Sequence, residues 1–245
     1  MSGHSKWANI KHKKGKSDAA RANVFTKIGR EIAIAVKSGG SDPQSNSKLR
    51  DVILKARQAN MPNDNIQRSI KKASGELGSI NYEEMVYEGY GVGGTAVIVE
   101  CLTDNKNRTA GDVRATFSKF GGSLGSTGCV SYMFTKKGVI IVDGASTTED
   151  ELFELAIEAG ADDVVAADDV FEVYTAPNDM GTVNEYLSAK VSVLSANIDM
   201  IPDNTVIPSP EHATNLIRLI DRLEENDDVQ NVYHNAILPE EDEEE

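Results

Sequence analysis

The sequence predicts a multidomain α+β fold: an N-terminal helical bundle followed by two ferredoxin-like α/β domains, one inserted in the other. Three observations lead to this prediction. At 245 residues, the chain exceeds the usual size of a single domain. Apolar residues recur at helical spacing up to about residue 75. Beyond residue 78, short apolar runs alternate with helical patterns in an order that includes strand, helix, two strands, helix and strand.

The helical part consists of three predicted helices, over residues 17–37, 48–60 and 64–74. In the first, the apolar residues between Val24 and Val36 recur at helical spacing and form one stripe. An advance of about 100° per residue brings a second set of side chains together on the opposite side. These are Asn23, Lys27, Arg30 and Lys37. The first helix is therefore expected to bury one face and to expose a positive one.

The remainder of the chain alternates between strands and helices. Strands are predicted over residues 95–102, 129–134, 138–143, 164–167, 170–175, 191–198 and 228–238. Helices are predicted over residues 108–120, 148–160, 179–189 and 209–226. Two of these helices carry strong start signals, because Thr148 and Glu151 match a capping box and Ser209 precedes Pro210.

The order of these elements predicts how the domains are arranged. The last helix and strand have no partner nearby in sequence, whereas residues 95–134 lack a closing helix and strand. We therefore expect residues 79–137 and 202–238 to form one discontinuous α+β domain, with residues 138–201 inserted as a second one. Residues 1–78 would form a basic arm and the helical bundle, and residues 239–245 an acidic, disordered tail.

Charge is distributed very unevenly along the chain. The net charge is −14, yet residues 1–75 hold 16 Lys or Arg against 5 Asp or Glu. Residues 143–245 hold 3 Lys or Arg against 27 Asp or Glu. A basic head on an acidic body indicates a polyanionic partner for the head, and nucleic acid is the first candidate.

The head begins with SGHSKWANIKHKKGK (2–16), which has five lysines and no acidic residue. Lysines can neutralise phosphates, Trp7 can stack on a base, and His12 can bond a phosphate. The alternative is a solvated arm with Trp7 packed against the bundle. The predicted nucleic-acid-binding residues are Lys6, Trp7, Lys11, His12, Lys13, Lys14, Lys16, Arg21, Lys27, Arg30 and Lys37.

Other motifs are better explained by structure than by chemistry. GYGVGG (89–94) matches G-x-G-x-x-G but leads into a strand, so it predicts a turn. GGSLGSTG (121–128) is expected to be a flexible connection. TDNKNRTAGD (103–112) could hold a phosphate, although a polar loop with Thr109 as N-cap is favoured. The paired carboxylates at 162–163 and 168–169 are typical of turns.

No residue pattern indicates catalysis. The four histidines show no ligand spacing, and no nucleophile, base and orienting group are brought together by the sequence. We expect no enzyme activity, no cofactor and no bound metal. Cys101 and Cys129 lie in apolar segments, as buried thiols do in a reducing compartment. No apolar run reaches the length of a membrane helix, so a cytoplasmic protein without a membrane partner is expected.

Several segments closely resemble the YebC/PmpR family. They are GHSKWANIKHKKGKSDAARANVFTKIGREI (3–32), YEGYGVGG, TDNKNRTAGDVR, FSKFGGSLG and SPEH, and the similarity extends from residue 2 to about 238. Members of this family are described as three-domain, cytoplasmic, DNA-binding transcriptional regulators. Others, including a mitochondrial translational activator, act on the ribosome.

The resemblance thus implies a nucleic-acid-binding regulator and leaves the nucleic acid open. One hypothesis is a DNA-binding regulator of transcription. The alternative is a translation factor that binds ribosomal RNA and assists elongation on the ribosome. A small-molecule sensor or enzyme is a third hypothesis, for which the sequence contains no motif.

Overall fold

The computed structural model of the protein describes residues 18–75 and 81–239, with side chains in the first helix from Ala22 onward. Three helices open it: α1 (Asp18–Gly39), α2 (Ser47–Gln58) and α3 (Asn63–Ala73). They confirm the three predicted helices to within two residues at each described end. The predicted N-cap Ser17 and the acidic tail from residue 240 lie outside the described residues.

The three helices share one apolar core. Ile28 and Ile32 of α1 pack with Leu49 of α2 and Ile66 of α3, and each of these side chains is at most 2% exposed. The predicted apolar stripe is therefore correct in its main part. Val24 was expected to belong to it but is 42% exposed, because the shared core begins one residue later, at the half-buried Phe25.

The first sheet has the strand order β3-β1-β2-β8 and is antiparallel throughout. Its strands are β1 (Glu83–Tyr90), β2 (Ala96–Thr103), β3 (Ser123–Leu124) and β8 (Val229–His234). Its helices are α4 (Lys106–Lys119) and α7 (Pro210–Glu224), the latter capped by Ser209 as predicted. The turn predicted at GYGVGG is confirmed, because Val92–Gly94 form a short 3-10 turn with Gly93 at φ 70° between β1 and β2.

The strand predicted over residues 129–134 is wrong. Ser131–Met133 form a 3-10 turn, and the next strand begins at Phe134. The missing strand is β1, which the sequence pattern did not predict. Its segment EEMVYEGY is only partly buried, and its apolar run covers only residues 85–87, so its β-structure depends on pairing with β2 over its whole length. The first sheet consequently begins with a hairpin.

The second sheet follows the split βαβ order. It contains β4 (Phe134–Asp143), α5 (Glu149–Ala159), β5 (Asp163–Ala167), β6 (Val170–Thr175), α6 (Met180–Ser188) and β7 (Val193–Pro202). The strands pair antiparallel in the order β5-β6-β4-β7. The capping box of Thr148 and Glu151 is present, and Gly160 ends α5 at φ 88°. A helical region followed by two small antiparallel sheet domains confirms the predicted fold class.

The described chain divides into two compact units. One holds residues 18–75, 81–130 and 209–234, so the helical bundle packs together with the first sheet. The other holds residues 131–208 and 235–239 and contains the second sheet. The finer division at residues 79–137, 138–201 and 202–238 stays a prediction. Among the described helices, none is both long enough and apolar enough to cross a membrane.

Candidate nucleic-acid interface

The structure places only some of the predicted binding residues. The seven arm residues from Lys6 to Lys16 lie outside the described chain, and so does the side chain of Arg21. The described side chains in the predicted set are Lys27, Arg30 and Lys37, all on α1. Their contacts show whether the positive face expected on α1 is exposed.

Lys27 and Asn23 cap the C-terminal end of α7. The Lys27 Nζ donates a hydrogen bond to the Glu224 carbonyl oxygen at 2.7 Å, and the Asn23 Nδ2 donates to the Glu225 carbonyl oxygen at 2.8 Å. Carbonyl groups at a helix C-terminus lack intrahelical donors and carry partial negative charge, which a lysine stabilises. Both side chains are half-buried. The positive charge of Lys27 therefore interacts with the C-terminal end of α7.

Arg30 is buried, at 9% exposure, in contact with the first sheet. Its guanidinium donates to the Asp228 carboxylate, which follows α7, and to the Leu102 carbonyl oxygen on β2 at 2.7 Å. Asp228 also accepts from the Arg108 Nη2 at 2.8 Å and from the Thr109 Oγ1 at 2.7 Å. One carboxylate thus links the helical bundle, the start of α4 and the end of α7.

This network keeps Asp228 ionised. Burial alone would raise the pKa of the carboxyl group, but hydrogen bonds from Arg108, Arg30 and Thr109 outweigh that effect and hold the pKa below its usual range. Both oxygens of the Asp228 carboxylate accept hydrogen bonds, and because Arg108 also pairs with Asp104, two guanidinium groups face two carboxylates. The arrangement is that of a structural ion-pair network, since all its charged groups are directed at one another.

The stability contribution of Asp228 should depend on pH. A carboxyl group with a depressed folded-state pKa stabilises the folded protein fully above its unfolded pKa of about 3.9, and this stabilisation is lost as pH falls through the folded pKa. We therefore expect the difference in unfolding free energy between wild type and Asp228→Asn to be largest near pH 7 and to shrink below about pH 4. Denaturant titrations at both pH values measure it, and a difference independent of pH would contradict the assignment.

The expected positive face of α1 therefore requires correction. Both sides of α1 are packed: one against α2 and α3, the other against the end of α7 and the first sheet. Helical spacing identifies which side chains share a face but not whether another domain covers that face. Lys37, near the end of α1, remains exposed and donates to the Asn81 Oδ1.

The polar loop at residues 103–112 also differs from its expected form. The N-cap of α4 is Asn105, whose side chain accepts from the Arg108 backbone N–H at 3.1 Å, rather than Thr109. Thr109 is fully buried against Asp228. Arg108 is held by Asp228 and by Asp104 at 2.8 Å, so it is engaged internally. Asp228 lies in the segment NDDV (226–229), and nothing in that segment predicted its role in the ion-pair network.

Apart from Lys37, the exposed cations described in the bundle lie on α2 and α3. They are Lys48, Arg50, Arg57, Arg68, Lys71 and Lys72, and within the described chain no ion pair engages any of them. Lys55 of α2 differs, because it pairs with Glu31 of α1 at 2.7 Å. None of these six residues was predicted to bind. On α3 these cations lie opposite the buried Ile66 and Ile70, whereas on α2 they flank the buried stripe.

The described residues contain no group of three or more His, Cys, Asp or Glu arranged to hold a metal ion. Asp168, at φ 48°, forms the turn between β5 and β6, as expected for that carboxylate pair. Both cysteines are free thiols, and Cys129 is half-buried rather than buried as expected. Burial above all raises the pKa of Cys101 to about 12, so this thiol is protonated at neutral pH and is a poor nucleophile.

Comparison with known proteins places the chain in a family. Residues 5–76 match the model of the TACO1/YebC protein N-terminal domain, and residues 82–236 match the model of the TACO1/YebC second and third domain. A "Probable transcriptional regulatory protein" of Clostridium tetani is 58% identical over 243 residues, 98% of this chain and 99% of the relative. One of the same name from Acetivibrio thermocellus is 59% identical over 238 residues, 96% of this chain and 98% of the relative.

A solved structure is similar over nearly the same length. A conserved hypothetical protein from Aquifex aeolicus has a TM-score of 0.86 and 47% sequence identity, covering 98% of this chain and 100% of that one. The similarity therefore includes the helical bundle and both sheets. Together with the matched family models, it shows that the chain belongs to the TACO1/YebC family.

Proposed function

We propose that the protein is a non-enzymatic, cytoplasmic regulator that binds DNA through its N-terminal arm and helical bundle and so regulates transcription. The observation that carries the proposal is the charge distribution, because residues 1–75 hold a net charge of +11 in a chain whose net charge is −14. The name of the relatives supports a role in transcription regulation. Because Arg30 and Arg108 are engaged by Asp228, the outer surfaces of α2 and α3 are the positive surfaces of the described bundle that are available to a partner.

Binding through these regions would rest mainly on phosphate contacts. The arm offers Lys6, Lys11, Lys13, Lys14 and Lys16, which can each displace counterions from the nucleic acid. Trp7 and His12 would add stacking and a phosphate hydrogen bond. Lysines are point charges without the forked geometry that reads guanine, so sequence preference should be modest.

The arm gives the first test. Lys11, Lys13 and Lys14 are replaced together by alanine, and binding to a fluorescent DNA duplex is measured by anisotropy over a series of salt concentrations. We expect the slope of log affinity against log salt to flatten by about three, because three phosphate contacts are lost. A control replaces three exposed cations outside the arm and bundle, Lys119, Lys136 and Arg218, and should keep the wild-type slope. An unchanged slope in the arm variant would remove the arm from the interface.

A second experiment distinguishes DNA from ribosomal RNA as the cellular partner. Tagged protein is purified from cells with DNase or RNase treatment and is also sedimented with ribosomes at physiological salt. Recovery of DNA fragments without ribosome association is the expected result. Ribosome association that survives DNase and is lost with RNase would overturn regulation of transcription and favour the translation factor.

A further inference from the structure

The outward side of α3 differs from that of α1. Ile66 and Ile70 are 1% and 7% exposed and pack into the core shared with α1 and α2. At about 100° per residue, Arg68, Lys71 and Lys72 lie roughly 140–240° around the helix from Ile66. All three are exposed. We call these three residues the α3 face.

The α3 face carries charge that the described protein does not neutralise. Its residues take part in no ion pair within the described chain, in contrast with Arg30 on α1 and Arg108 on α4. Asp64 is the sole acidic residue of α3, and in the first turn its negative charge interacts favourably with the helix dipole. Asp64 lies four residues before Arg68 on the same side of α3 but forms no ion pair within the described chain, so the three cations leave an excess of positive charge that attracts polyanions.

The spacing of the α3 face suits a phosphodiester backbone. Arg68 and Lys72 are four residues apart, so their side chains emerge about 6 Å from each other along the helix, and Lys71 lies beside them. Arginine can bind a phosphate with two parallel hydrogen bonds, and lysine adds a mobile charge. Because these groups are presented by a helix packed into the bundle core, little backbone ordering is required when they bind.

The link before α3 keeps this helix in place. α2 and α3 are joined by four residues, within which Asn60 adopts φ 57° and Met61 is 7% exposed in the shared core. Asparagine tolerates this left-handed conformation better than most residues do. The neighbouring helix α2 adds Arg50 and Arg57, which are seven residues apart and therefore lie on the same side of it.

We propose that the α3 face binds phosphates of the nucleic acid and that it, rather than the packed face of α1, is the rigid part of the interface. This inference rests on the proposed function, since it concerns how the same nucleic acid is held. Lys27 and Arg30 of α1 are committed to Glu224 and Asp228, whereas the α3 face is directed away from the core. The contacts are sequence-independent because they involve phosphates alone.

The test replaces Arg68, Lys71 and Lys72 together by glutamine, which removes the charge and retains helix propensity. Anisotropy over a salt series is measured with a DNA duplex and with an RNA duplex of the same length, using wild type, this variant, and Lys119→Gln/Lys136→Gln/Arg218→Gln as the control with equal charge loss. The α3-face variant is expected to flatten the salt slope by about two to three on the nucleic acid that the protein binds. The control is expected to keep the wild-type slope, and circular dichroism should show unchanged helix content in both.

Failure of the inference can be separated from failure of the proposed function. If the arm variant loses slope while the α3-face variant does not, the α3 face is excluded and nucleic-acid binding stands. Equal losses in the α3-face variant and the control would also overturn the inference, because they would show a general effect of charge. If wild type shows no salt-dependent binding to either duplex, the proposed function itself fails. A flatter salt slope of the α3-face variant on DNA alone, on RNA alone or on both supports phosphate binding by the α3 face and identifies the polyanion.

Discussion

Replacing Asp228 by alanine is expected to lower the free energy of unfolding of the first unit by about 3–5 kcal/mol. The carboxylate is 3% exposed and pairs with the guanidinium groups of Arg30 and Arg108. Its removal would leave Arg30 as a buried, unpaired charge between α1 and the first sheet, and would also leave the buried Thr109 hydroxyl without this acceptor. Denaturant unfolding followed by circular dichroism and hydrogen exchange of α1 and β2 measures the effect.

Asp104 provides the matched control for this prediction. Its side chain is 41% exposed and pairs with Arg108 at 2.8 Å, so Asp104→Ala should cost no more than about 1 kcal/mol. A cycle with Arg30→Met adds a second check, because the double variant should be less destabilised than the sum of the single variants. A loss below about 1 kcal/mol for Asp228→Ala would show that Asp228 does not hold the bundle against the sheet.

Ile32→Ala is expected to destabilise the helical bundle by about 2–5 kcal/mol. Ile32 is 0% exposed at the centre of the core that α1 shares with α2 and α3. The substitution removes buried apolar volume and leaves a cavity, because the neighbouring helices can relax only in part. Hydrogen exchange should show faster opening of α1, α2 and α3. If the bundle is part of the interface, affinity for a DNA duplex should fall together with the folded fraction.

Val24, eight residues before Ile32, offers a control on the same helix. It is 42% exposed, so Val24→Ala should change the free energy of unfolding by no more than about 0.5 kcal/mol. This comparison also tests where the apolar stripe of α1 begins. Similar losses for both variants would place Val24 inside the core, contrary to the structure.

Elements whose signals are local were predicted well from the sequence. Thr148 with Glu151, Gly160 and Ser209 with Pro210 marked helix ends that the structure confirms, because capping depends on residues within one turn. Strand β1 was not predicted, since its segment has mixed polarity and becomes a strand by pairing with β2 and β3. The N-cap of α4 is Asn105 rather than Thr109, which lies inside the helix and bonds Asp228, 119 residues away in sequence.

In the candidate interface, too, some properties follow from the sequence and others only from the tertiary structure. The concentration of positive charge in residues 1–75, and hence the expectation of a polyanionic partner, follows from composition alone. Family membership likewise follows from the order of residues in the quoted segments. Neither property depends on which surfaces of the protein pack against one another.

The sequence by itself therefore determined the helical bundle, the α/β character of the remainder, the family and the basic head. The tertiary structure alone decided which cations stay available to a partner. Lys27 and Arg30 share a helical face with Lys37, yet a helix end and a buried carboxylate from residues about 200 positions later in the chain neutralise them. Arg68, Lys71 and Lys72 remain exposed. The physical reason is that burial and charge pairing arise between distant segments, whereas periodicity and capping are properties of neighbouring residues.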